Sequence, residues 1–79
     1  MNYDDAVRAA QKWASENDVN TCVYILASGS VGWGTYVSYS LDETIHPFQL
    51  MWSSEVGPER NALRKETAEL WLQRQRENA

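Results

Sequence analysis

Few side chains in this sequence carry reactive chemistry. His46 is the only histidine, and so the only imidazole available for acid–base work near neutral pH. It precedes Pro47, which holds it extended, and no Ser or Cys lies at a local spacing that would form a nucleophile–base pair with it. The residue reads as an ordinary half-buried strand position beside Phe48 and Trp52. Cys22 is the only cysteine. A reactive thiolate needs a nearby cation to lower its pKa. No Lys or Arg occurs between Thr21 and Ser53, so Cys22 reads as an inert core thiol.

Asp42 and Glu43 are adjacent carboxylates, a pattern that could touch a metal ion. They sit in a turn between strands, where acidic residues serve solubility and local hydrogen bonding. One His and one Cys cannot build the four-ligand structural zinc site. The stretch Ser28-Gly29-Ser30-Val31-Gly32-Trp33-Gly34 is glycine-rich, but a phosphate cradle of this kind is followed by a helix and, in a P-loop, by a Lys. Here a strand follows and no Lys is present, so the stretch reads as a hairpin tip. Gly32 and Gly34 flank Trp33, whose indole could cap the core or anchor a partner, a use for which Trp is favoured. The expectation is no catalytic residue, no metal, no cofactor and no enzymatic activity.

The elements that would carry these residues follow from periodicity. Tyr3, Ala6, Val7, Ala10, Trp13 and Ala14 recur at spacings of three and four, predicting an amphipathic helix from Tyr3 to about Ser15. Asn2 suits its N-cap, and Asp4 and Asp5 complement its dipole. Val19 to Ala27 is rich in β-branched residues and apolar on both alternating sets, a first strand. Trp33 to Leu41 alternates with period two and predicts a second strand, making a hairpin with the first. Ile45 to Ser53 predicts a third, with Pro47 placing it at an edge. Gly57 and Pro58 announce a last helix over about 58–77. Its apolar positions are Ala62, Leu63, Leu70 and Trp71, widened by Ala68 and Leu72. The fold class is α+β, in the order α-β-β-β-α, with a three-stranded antiparallel meander sheet and two helices.

Charge is distributed unevenly along these elements. The chain has 79 residues, with 7 Lys and Arg against 11 Asp and Glu, a net charge of −4. Between Thr21 and Ser53 the only charged residues are Asp42 and Glu43, while Tyr24, Trp33, Tyr36, Tyr39, Phe48 and Trp52 crowd the same stretch. A solvated sheet face normally shows polar side chains. Either the helices divide between the two faces, or a partner covers the spare one.

This size allows one domain, residues 1–79. Four Trp and four Tyr with 43% hydrophobic residues exclude a disordered tail, and no apolar run is long enough to span a membrane. Met1-Asn2-Tyr3-Asp4-Asp5 lacks the apolar core of a secretory signal. With a lone cysteine forbidding an internal disulfide, these features point to the cytoplasm.

In element order and length the chain resembles the double-stranded-RNA-binding domain. That resemblance implies phosphate binding by a basic cluster at the start of the last helix. The corresponding residues here mix Arg60, Arg64 and Lys65 with Glu59 and Glu66, and the first hairpin, Ser28 to Gly32, lacks the family's Gly-Pro-x-His loop. At a net charge of −4 the counterion-release contribution is weak or adverse, so direct nucleic-acid binding is not expected. The expected function is a non-enzymatic protein-interaction module, docking on a protein partner or on a second copy as a homodimer. Its candidate partner-binding residues are Trp33, Tyr36, Tyr24, Ile45 and Met51 on the uncharged sheet surface, with Asp42 and Glu43 at its border. In size and acidity the chain resembles phage and mobile-element inhibitors of bacterial defence complexes, such as anti-CRISPR proteins. That resemblance implies a basic, nucleic-acid-binding partner met by Asp4, Asp5, Asp18, Asp42 and Glu43. The alternative is a small-ligand binder with an aromatic pocket of Trp13, Trp33, Tyr39 and Trp52.

Overall fold

The computed structural model describes residues 1–35 and 45–78. Helix α1 spans Tyr3–Asn17. The Asn2 side chain accepts the Asp5 N–H at 2.8 Å, a cap that contributes about 0.5–2 kcal/mol. The helix ends at Asp18, which turns left-handed (φ 51°) and donates its N–H to the Ala14 carbonyl. Its inward residues Ala6 and Ala10 are small and fully buried, so the helix axis lies close to the sheet. Thr21 Oγ1 donates to the Ala10 carbonyl at 2.9 Å and ties the two layers together.

Three strands follow, β1 (Thr21–Ile25), β2 (Val31–Thr35) and β3 (Leu50–Ser53). The β1–β2 turn closes through Leu26 N–H to Ser30 O (2.9 Å) and Gly29 N–H to Leu26 O (2.8 Å). Gly29 sits there at φ 91°, a conformation only glycine adopts without strain. Helix α2 spans Pro58–Glu77, with Gly57 as N-cap and Pro58 in the first turn. The α+β class and the α-β-β-β-α order are as the sequence implies.

The strand neighbours are different. The sheet order is β2-β1-β3, both pairs antiparallel, so β3 lies beside β1 rather than beside β2 as in a meander. The physical reason is visible in β1 itself. A central strand is covered on both faces and carries apolar residues on both alternating sets, and Thr21, Cys22, Val23 and Ile25 are all buried. The third strand is also shorter than expected. His46 and Pro47 do not extend into it; Pro47–Gln49 forms a 3-10 turn with His46 as its cap. The expected continuation of the second strand through residues 36–41 lies outside the described residues.

Opposed residues of antiparallel neighbours share a face. Val23 is opposite Trp33 and Trp52, and Ile25 is opposite Val31. These residues join Ala6 and Ala10 of α1 and Ala68 and Leu72 of α2 in one core. Both helices therefore share one side of the sheet, and Lys65 Nζ of α2 sits 4.7 Å from the centre of the Tyr3 ring of α1. On the other side, Cys22 and Leu50 are buried and Tyr24 is half-buried. The Tyr24 ring leans across its partner Gly32, where a Cβ would fall 2.8 Å from the phenol oxygen. On that side the described β1 and β3 residues are thus buried except Tyr24, while Gly32 and Gly34 of β2 are half-buried.

Candidate docking groove

Helix α2 carries apolar residues on two sides. Its inward side is Asn61, Ala68 and Leu72. Asn61 is held by the backbone of β3: its Oδ1 accepts the Ser53 N–H (2.9 Å) and its Nδ2 donates to the Ser53 and Val56 carbonyls (3.0 and 3.2 Å). That anchor and the small Ala68 set the rotation of the helix, leaving Leu63 62% and Leu70 52% exposed. The inward face is therefore not the Ala62, Leu63, Leu70 and Trp71 set that hydrophobicity favours; Trp71 alone of the four is half-buried, packed against the core.

The 3-10 turn supplies the opposite wall. His46 Nδ1 accepts the Phe48 N–H at 3.2 Å, and Gln49 Oε1 accepts the His46 N–H at 2.6 Å. The buried Gln49 also donates its Nε2 to the Ile25 carbonyl at 3.0 Å, which pins the turn to the end of β1. Phe48 is left 56% exposed, its ring stacked on His46 with centroids 4.8 Å apart. His46 is thus an exposed cap for a turn and a support for Phe48, rather than a half-buried strand residue.

Between these walls lies a groove of about 380 Å³ lined by Phe48, Thr67, Leu70, Trp71, Arg74 and Gln75 among others. Among the described residues its lining holds no carboxylate. Exposed apolar groups of this size, gathered rather than scattered, mark binding surfaces. Its described lining offers hydrophobic contact and the Arg74 guanidinium. Among the described residues no group of His, Cys, Asp and Glu could hold a metal ion.

The residues expected from the sequence to meet a partner are dispersed. Ile45 and Met51 are buried, Met51 in the core cluster, so neither offers surface. Trp33 is half-buried, packed against the core and 6.1 Å from the ring of the exposed Trp13. Tyr24 lies half-buried across Gly32. Tyr36, Asp42 and Glu43 lie outside the described residues. The aromatic pocket is likewise not assembled as expected: Trp52 lines a polar cleft of about 810 Å³ with Asp18, Asn20, Ser54 and Pro58, whereas Trp13 and Trp33 pair elsewhere and Tyr39 is outside the described residues. The groove residues Phe48, Leu70 and Arg74 carry no sequence pattern that separates them from core or solvated positions.

Cys22 fits its reading as a core thiol. Burial pushes its pKa up to about 11, against a smaller opposing effect of Arg64. The native thiol should remain unmodified by iodoacetamide at pH 8 and react only on unfolding. Because the folded pKa is the higher one, this group's contribution to stability is fully present below the ordinary thiol range and is lost as pH rises toward 11. Urea titrations of wild type and Cys22→Ala across pH 8–11 should show the steeper decline in wild type; equal slopes would contradict it.

No protein-family model, curated protein or solved structure matches this chain.

Proposed function

We propose that this chain is a non-enzymatic protein-interaction module that docks through the groove between the 3-10 turn and α2. The observation that carries this reading is the exposure of Phe48 and Leu70 in one groove, which Trp71 also lines. Phe48 and Leu70 lie outside the core cluster, and each would contribute about 1–2 kcal/mol on being covered from its half-exposed state. An amphipathic segment laid into such a groove is a recurring recognition mode.

The test is affinity capture with three baits: wild type, Leu70→Glu and Trp13→Glu. The partner should be retained by wild type and by Trp13→Glu, and its recovery should fall at least tenfold with Leu70→Glu. Circular dichroism should show all three baits folded, since both changed residues are exposed. Equal recovery on all three would sink the proposal. Light scattering on the same samples tests self-association through the same surface. The narrower reading, an inhibitor encoded by a phage or mobile element and directed at a defence-complex subunit, is supported by size and acidity; a partner of that class in the captured set is its test.

A second reading is supported by the 810 Å³ cleft, which is within the size range of small-molecule sites. Trp52 lines it, so occupancy by a metabolite should change tryptophan emission, and that change should persist in Leu70→Glu.

A further inference from the structure

The groove belongs to a longer stripe. At 3.6 residues per turn, Arg60, Leu63, Leu70 and Arg74 fall on the outer side of α2, away from the inward Asn61, Ala68 and Leu72, with the half-buried Arg64 and Trp71 along its inner edge. Leu63 to Arg74 spans about 16 Å at 1.5 Å per residue, roughly three turns of a facing helix. The charge on this stripe runs against the charge of the molecule. The chain is net −4, yet the stripe carries three arginines between its apolar residues. Glu59, Glu66 and Glu77 lie along its outer border on the same helix. Among the described residues the ion pairs are Lys12–Glu16 and Lys65–Glu69; Arg60, Arg64 and Arg74 have no carboxylate within that reach. On an acidic protein, arginines with no carboxylate partner among the described residues, beside exposed Leu and Phe and the half-buried Trp71, make a surface complementary to carboxylates interleaved with apolar anchors.

We propose that this stripe receives an acidic amphipathic helix of a protein partner, its apolar residues seated between Phe48 and Leu70 and its carboxylates on Arg60, Arg64 and Arg74. This rests on the docking reading above and gives the occupant its chemistry. A nucleic acid is disfavoured because phosphates make no use of exposed Leu63, Leu70 and Phe48. The negative net charge also repels a polyanion more than a short acidic helix. The acidic partner differs from the basic one expected from Asp4, Asp5, Asp18, Asp42 and Glu43, because none of the described members of that set lies on the exposed apolar surface.

The experiment is selection of displayed random 16-residue peptides on wild type, with Leu70→Glu as counter-selection. The best binders are then measured by fluorescence anisotropy against Arg60→Glu/Arg74→Glu, alongside a 20-base-pair RNA duplex. The proposal expects net-acidic amphipathic peptides that bind the double variant at least tenfold more weakly than wild type and weaken as salt rises. Neutral or basic binders that depend on Leu70 would overturn the acidic occupant and leave the docking groove standing. No binder discriminating wild type from Leu70→Glu would overturn both. RNA bound by wild type and released by the double variant, with no peptide selected, would make the stripe a nucleic-acid surface and overturn the proposal.

Discussion

Replacing Trp52 with alanine should leave most of the population unfolded at room temperature. Trp52 is 7% exposed, sits opposite Val23 on the central strand and belongs to the core shared by both helices. Truncating a buried Trp costs about 3–5 kcal/mol. A chain of this size with no disulfide rarely has more than about 3–5 kcal/mol in total, so the loss consumes nearly the whole margin. Urea unfolding followed by far-UV circular dichroism is the check. A loss below about 1 kcal/mol would mean that the indole mainly walls the polar cleft and is not part of the core that holds α1, α2 and the sheet together.

The second large effect is expected from a polar residue. Asn61→Leu keeps the volume approximately but removes three hydrogen bonds that join α2 to the Ser53 and Val56 backbone. Buried backbone groups that lose such bonds cost about 1–3 kcal/mol each where water cannot replace the partner. The expected destabilisation is about 2–4 kcal/mol, discounted because the Val56 bond lies in a partly buried position. Native-state hydrogen exchange should show the Ser53 amide losing its protection before those of the central strand. An unchanged Ser53 amide would mean that the Asn61 bond does not hold the start of α2 on β3.

Local chemistry made the helices legible. Asn2 with Asp4 and Asp5 marks one start, Gly57-Pro58 the other, and both lie where the spacing puts them. The rotation of α2 was not legible, because a period argument assigns the larger apolar residues to the core. The Asn61 anchor on Ser53 is a tertiary interaction across the sheet edge, invisible in a window of α2 alone. The 3-10 turn escaped for a related reason. Alternation from Ile45 to Ser53 reads as strand, but the side chains of His46 and Gln49 bond the local backbone and bring Pro47 into a turn, and Phe48 is thereby moved to the surface. The central position of β1 did have a signal, its apolar residues on both alternating sets, which outweighs the habit of sequential strands to pair in order. So the groove arises from the two places where local pattern and tertiary packing disagree, which is where function is most often found.

The docking groove requires that α2 have an inner face that stabilises the fold and an outer face that does not. Unfolding free energies of Leu72→Ala and Leu70→Ala, measured side by side in urea, test this directly. Leu72, buried in the core, should lose about 2–4 kcal/mol, and Leu70, half exposed, should change by no more than about 0.5 kcal/mol. Comparable losses for the two would place Leu70 in the fold's own interior and remove the wall on which the groove stands.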